Sequence, residues 1–167
     1  DLLYFGAGIW PTEGIFVYAL DPASGKVLWC NDSSGGLEMD QPHPTARAKS
    51  GISAQGYLAA AGNALLVPTG RAVPAVLNRG DGKLLYFQLQ QNTQVGGADV
   101  VAVDDHFFNG GAMFAVGSGA RENRIGVQIA AHPDFVIVSR ENKIVAFDRH
   151  KLLVEKEVTD SKGNKQI

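Results

Sequence analysis

The stretch YALDPASGKVLW, residues 18–29, decides the fold. Tyr18-Ala19-Leu20-Asp21 alternates as a strand does, Pro22-Ala23-Ser24-Gly25 has the chemistry of a turn, and Lys26-Val27-Leu28-Trp29 starts a second strand. Asp21 is placed to accept hydrogen bonds from the N–H groups of the turn, Gly25 takes a positive φ at low cost, and Trp29 offers a broad face for packing. One such hairpin is ordinary, whereas a series of them defines an architecture.

The pattern recurs at VLNRGDGKLLY (76–86), with Asn78 in the place of Asp21 and Tyr86 in the place of Trp29. A weaker copy is MFAVGSG (113–119), and a degenerate one begins at AFDR (146–149), where Leu152 takes the glycine position. The copies are spaced by 57, 37 and 33 residues, and the last two steps approach the roughly 40 residues of a four-stranded propeller blade. The long first step is accounted for if residues 33–56 are an inserted loop.

Residues 57–91 fit one blade strand by strand, as YLAAAGN, ALLVPTG, PAVLNR and KLLYFQL. Residues 99–131 supply a second, as VVAVDD, HFFNGG, AMFAVG and VQIAAH, and residues 132–158 begin another with FVIVSREN and KIVAFDR. LLYFGAG, IFVYALD and VLWCND, within residues 1–32, give three strands of an earlier blade. The expected fold is therefore all-β, a partial propeller of about three to four four-stranded antiparallel blades. The Ala- and Leu-rich residues 57–66 could be helical, but Gly56 and Gly62-Asn63 bracket a segment too short for it.

Composition agrees. Glycine is abundant, at 20 of 167 residues, and charge is sparse, at 19%, which suits short strands joined by tight turns. A net charge of -2 without any basic run argues against nucleic acid. No apolar run approaches the ~20 residues of a membrane span, and the first residues lack the layout of a signal peptide. The chain opens on Asp1 and the apolar Leu2 to Phe5, and is read as an internal piece of a longer protein. Cys30 alone can form neither an internal disulfide nor a cysteine-based zinc site, and beside Trp29 it is expected to be a small buried apolar residue. Asn31-Asp32-Ser33 is formally a glycosylation sequon.

Ala19-x-Asp21-x-x-Ser24-Gly25-Lys26-x-x-Trp29 resembles the tryptophan-docking motif of the quinoprotein-type, or PQQ-like, β-propeller repeats. In that family the Trp at the start of the outermost strand packs between neighbouring blades. The stretches GIWP (8–11), QPH (41–43), QGYLA (55–59) and GRAVPA (70–75) are similar to a bacterial subgroup of PQQ-binding-like propeller proteins, some of which carry a methyltransferase domain elsewhere. No glycine-rich loop of that domain occurs here.

The resemblance implies a ligand face built by the loops from second to third strand and from last strand to next blade. Trp10, Glu13, Arg71 and Asn109 fall in such loops, and the insertion carrying Gln41, His43 and Gln55 opens on the same side. Trp10, His43, Gln55, Arg71 and Asn109 are thus the candidate cofactor-binding residues. An aromatic plate, an Arg fork and several amides suit a planar anionic ligand, of which PQQ is one, with calcium as the metal the family implies. Structural alternatives stay open: Trp10 before Pro11 as a packed anchor, Arg71 as a pair to a neighbouring blade, Asn109 before Gly110-Gly111 as a turn residue.

Asp104-Asp105-His106 has the composition of an acid-base or metal cluster, but its place between two strands predicts a solvated turn; His132-Pro133-Asp134 is likewise a turn. No nucleophile elbow, P-loop or Rossmann fingerprint is present. The quinoprotein dehydrogenases share an adjacent cysteine pair that this chain lacks.

Two functions are expected to compete. One is a non-catalytic propeller module that binds a protein or ligand within a larger envelope-associated bacterial protein. The other is part of a PQQ-dependent dehydrogenase whose remaining ligands lie outside this chain. Remaining propeller blades or another protein are the expected partners, the resemblance implies a periplasmic or cell-envelope location, and an open array of blades should associate through its exposed apolar faces.

Overall fold

The computed structural model describes residues 1–41, 45–70, 72–89 and 96–152, together with two short strands at 158–159 and 165–166. The first sheet has three antiparallel strands, β1 (Leu3–Ala7), β2 (Phe16–Leu20) and β3 (Val27–Asn31). A two-stranded hairpin follows, β4 (Glu38–Asp40) and β5 (Arg47–Lys49), so the inserted segment has structure of its own. The second sheet is β6 (Ala59–Ala61), β7 (Ala64–Val67), β8 (Ala75–Asn78) and β9 (Leu84–Tyr86), in that order. The third is β10 (Val100–Val103), β11 (His106–Asn109), β12 (Ala112–Ala115) and β13 (Arg121–Arg124). β14 (Val127–Ala131), β15 (Phe135–Arg140) and β16 (Lys143–Asp148) make a fourth, and the small pair β17 (Val158–Thr159) and β18 (Lys165–Gln166) ends the described chain.

The sheets stack face to face around their first strands: β6 contacts β10, and β10 contacts β14. This is an all-β partial propeller. Each interface has its own apolar cluster. Val17, Leu65 and Leu77 fill the first. Leu66, Val76, Phe107 and Phe114 fill the second. Phe108, Met113, Val136 and Val138 fill the third. Successive side chains on a strand point to opposite faces, so Leu65 and Leu66, or Phe107 and Phe108, serve different interfaces.

One strand assignment is corrected. VQIAAH, expected as the last strand of the 99–131 blade, instead forms β14, the first strand of the next sheet, and moves that blade's end back before residue 127. The last strand of the third sheet is β13, whose RENR sequence has no apolar alternation and lies mostly exposed. An outermost strand packs on one side only and tolerates such residues, whereas the inner position beside β10 takes the apolar Val127–Ala131 segment.

The turns follow a common plan. Asp21 accepts from the Ala23 and Ser24 amides at 2.8 and 3.3 Å, and the Gly25 amide bonds to the Asp21 carbonyl at 2.8 Å. Asn78 accepts from the Gly80 amide at 2.8 Å, and Gly82 bonds to the Asn78 carbonyl at 2.8 Å. Gly119 bonds to the Ala115 carbonyl at 2.9 Å, and Asp148 caps the 3₁₀ turn Arg149–Lys151 by accepting from His150 at 3.0 Å.

These turns are where one sheet holds the next. Trp29 lies across Gly82, where a Cβ would overlap the indole, and its Nε1 donates to the Arg79 carbonyl at 3.1 Å. Tyr86 lies across Gly119 in the same way, and its hydroxyl donates to the Val116 carbonyl at 2.7 Å. Asn123, four residues after Gly119 as Trp29 is after Gly25, donates to the Leu152 carbonyl at 2.7 Å.

Cys30 is exposed, contrary to the expectation of burial. Trp29 faces the second sheet, so its neighbour in β3 faces the other way, opposite Tyr18. Asn31 is buried, donating to Ser34 Oγ at 3.0 Å and to the Gly82 carbonyl at 2.7 Å, so its amide is engaged in the fold rather than presented for glycosylation.

Candidate functional site

The β1–β2 loop carries Gly8 and Gly14 at positive φ, and a bond from the Glu13 amide to the Trp10 carbonyl closes it at 3.1 Å. This turn pushes the Trp10 side chain outward, leaving the residue 63% exposed. Beneath it lies a cavity of about 270 Å³ between the first two sheets, just under the size range of small-molecule sites.

Three further segments wall the cavity. The insertion contributes Gln41, Lys49 and Ser53, the β7–β8 loop Thr69 and Ala72, and the chain leaving β9 contributes Phe87 and Leu89. The insertion is fixed against the first sheet by Ile52, which is buried in the core beside Val17, and by the approach of Gly35 to Ile15, too close for any Cβ. Gln41 is held by its own bonds to the Met39 carbonyl at 3.1 Å and Ser50 Oγ at 2.9 Å. Thr69 Oγ1 is buried without a hydrogen-bond partner among the described residues, a cost that a polar ligand group could offset.

Of the candidates read from sequence, Trp10 lines this cavity. Gln55 is exposed beside it, its side chain donating to Ser53 Oγ at 3.1 Å and its amide to the Pro68 carbonyl at 2.8 Å. Asn109 is fully buried elsewhere and ties the loop before β10, donating to the Gly97 and Asp99 carbonyls at 3.2 and 2.8 Å. Glu13 is exposed, and His43 and Arg71 lie outside the described residues. Lys49, Thr69 and Phe87 carry no motif that singles them out. Thr69 sits in the same loop as Arg71, within reach of the loop argument, while Lys49 comes from an insertion with no repeat to place it.

The cavity suits one part of what the resemblance implies better than the other. An indole plate at the mouth, the Lys49 ammonium and the unpaired Thr69 hydroxyl have the chemistry to receive a planar anion such as PQQ. Calcium fits less well, because no group of three or more His, Cys, Asp or Glu side chains among the described residues is placed to hold a metal.

A second polar cluster lies at the opposite end of the sheets. His106 is partly buried rather than solvated, with Nε2 3.0 Å from Glu122 Oε2 and Nδ1 2.6 Å from Asp105 Oδ1. The Asp105 contact is close yet off the axis of a hydrogen bond, since Nδ1 has no directed partner. Arg149, with its side chain only 9% exposed, reaches from the last sheet to Asp104 and to the Pro133 carbonyl. The Arg149–Asp104 ion pair ties the third sheet to the fourth, at the interface where Asn123 stands in the place of an aromatic residue.

No family model matches the chain, and no curated protein matches it. Among solved structures it is similar to a europium-containing methanol dehydrogenase, at 18% identity and a TM-score of 0.46 over 73% of this chain and 22% of that one. The chain thus spans about a fifth of that enzyme's length. No helix among the described residues is long and apolar enough to cross a membrane.

Proposed function

We propose that the chain is a binding module of a larger envelope-associated bacterial protein, without a catalytic role of its own, and that the Trp10 cavity is where it binds. The observation that carries this is the cavity itself, lined by an exposed indole, one ammonium, the polar side chains of Gln41, Ser50 and Ser53, a buried hydroxyl without a partner among the described residues, and an apolar remainder. Such a site suits an apolar-bodied ligand, or a side chain of a partner protein, that ends in an anionic group. The series of Trp29, Tyr86 and Asn123 on successive turns supports reading the sheets as blades of the PQQ-like repeat kind. A periplasmic or cell-envelope location follows from that resemblance alone.

The alternative reading, part of a PQQ-dependent dehydrogenase, is favoured by the match between a planar tricarboxylate and the Trp10, Lys49 and Thr69 set. When bound, PQQ would supply reversible two-electron redox chemistry, and this chain's residues would stack and neutralise it. Titrating the protein with PQQ, with and without calcium, while following tryptophan fluorescence and the melting temperature separates the readings. Saturable quenching and a raised melting temperature, both lost in Trp10→Ala and Lys49→Ala, support a quinone site. At a hundred times its dissociation constant a native-state ligand adds about 2.7 kcal/mol. No response at saturating PQQ in the full-length protein, where any remaining ligands are present, removes the dehydrogenase reading, and an acidic peptide is then the probe for the module. If that peptide also fails to bind, the binding role of this cavity is refuted.

A further inference from the structure

A second cavity lies on the side of the sheets that carries the Trp10 cavity, and the two share no lining residue. β3, β9 and β13 each begin two residues after a turn glycine, so β1–β2, β7–β8 and β11–β12 are equivalent loops. Gly110 and Gly111 make the last of these, at φ +57° and +81°. The Gly111 carbonyl accepts from the Ile125 and Gly126 amides at 3.1 and 3.3 Å, which draws the β13–β14 connection onto that turn. Gly126, at φ +112°, lies in turn on the end of β15, where a Cβ would sit 2.8 Å from the Ser139 carbonyl oxygen and 3.2 Å from the Arg140 Cβ. These segments meet around a cavity of about 320 Å³. Arg124 at the end of β13 and Arg140 at the end of β15 both line it, and Ile125 and Val127 give it an apolar wall, with Val127 left 61% exposed.

Two guanidinium groups from different sheets are thus brought to one space with little to neutralise them. Among the described residues no carboxylate lies within ion-pair distance of Arg124. Arg140 meets its neighbour Glu141 at 3.3 Å, both side chains being mostly exposed, and an exposed pair of this kind contributes little. At the far end of the same two sheets Arg149 is matched by Asp104 instead. A guanidinium is weakly hydrated and takes a carboxylate through two parallel N–H···O bonds, so an unmatched pair of them lining one cavity selects for anions.

We infer that this cavity binds a short dicarboxylate, with one carboxylate on each guanidinium and the carbon chain along Ile125 and Val127. Two forks on separate strands match two separate anionic groups better than a single centre, and the apolar wall matches a carbon chain, which inorganic phosphate lacks. The volume is at the lower end of the range of small-molecule sites.

Calorimetric titration of the full chain with succinate tests this. Saturable binding is expected, weakened about 10- to 100-fold by Arg124→Gln or by Arg140→Gln. Arg121→Gln removes the same charge from the other end of β13, outside the cavity, and Trp10→Ala alters only the first cavity, so both should bind succinate as the unmutated chain does. All four substitutions fall on exposed residues, and the fold should persist by circular dichroism. No saturable binding to the unmutated chain, inorganic phosphate binding as tightly as succinate, or an equal loss in Arg121→Gln or Trp10→Ala would each overturn the inference.

Discussion

Replacing Gly82 with Ala tests how one sheet holds the next. Gly82 has φ +73°, and a side chain there pays about 1–2 kcal/mol for the left-handed conformation alone. The new Cβ also overlaps the indole of Trp29, which must leave its seat and its bond to the Arg79 carbonyl. Trp→Ala at a fully buried site costs about 3–5 kcal/mol. Trp29 is half-buried, so about 2 kcal/mol of packing plus ~1 kcal/mol for the hydrogen bond is at stake. Gly82→Ala should therefore cost about 4–5 kcal/mol in the wild-type chain but only about 1–2 kcal/mol when Trp29 is already Ala. Urea unfolding followed by circular dichroism, at one fixed protein concentration, reads the difference as a midpoint shift of about 1–2 M. Additivity of the two substitutions within ~0.5 kcal/mol would show that Trp29 is not seated on Gly82, and would refute the inter-sheet role assigned to it.

Tyr86 is pushed up to about 12 by its partial burial, from an ordinary value of 10.0. Its raised value contributes stability that is present below pH 10 and lost as pH rises towards 12, so Tyr86→Phe should flatten the alkaline limb of the stability curve while lowering stability at neutral pH. Backbone amides of Ala23 and Ser24 hold the Asp21 carboxyl below its ordinary 3.8. That contribution is present above pH 3.8 and lost as pH falls below it, and Asp21→Asn, which keeps the acceptor oxygen, should make acid unfolding less steep. Asn109→Ala removes both bonds to the loop before β10 and should cost about 1–3 kcal/mol in a thermal or urea melt. Its PQQ titration should match that of the unmutated chain; a selective loss of binding with unchanged stability would return Asn109 to the ligand site.

The turns were legible in the sequence because their determinants are local. Asp21, Asn78 and Asp148 bond to amides within three residues, and Gly25 and Gly82 are needed for their own φ. From those turns and the alternation around them came the strands of the first two sheets and the all-β class. The third sheet's last strand was not legible, since RENR carries no apolar period and only pairing with β12 makes it a strand. Asn123 was missed for a related reason: the spacing from Gly119 marks its place, but an amide in an aromatic's position gains meaning only from the Leu152 carbonyl opposite.

The site depended on tertiary structure more than the fold did. Trp10, Lys49, Thr69 and Phe87 come from four separate segments, and no spacing rule brings an insertion, two loops and a strand exit to one cavity. Burial followed the same division. Cys30 was expected to be buried beside Trp29, but neighbours on a strand face opposite ways, and the stacking of sheets covers the Trp29 face and leaves Cys30 exposed. The sequence by itself determined hairpins, turns and fold class, whose forces act between near neighbours along the chain. Tertiary structure decided which faces, loops and polar atoms meet, because those contacts join residues that only the stacking of the sheets brings together.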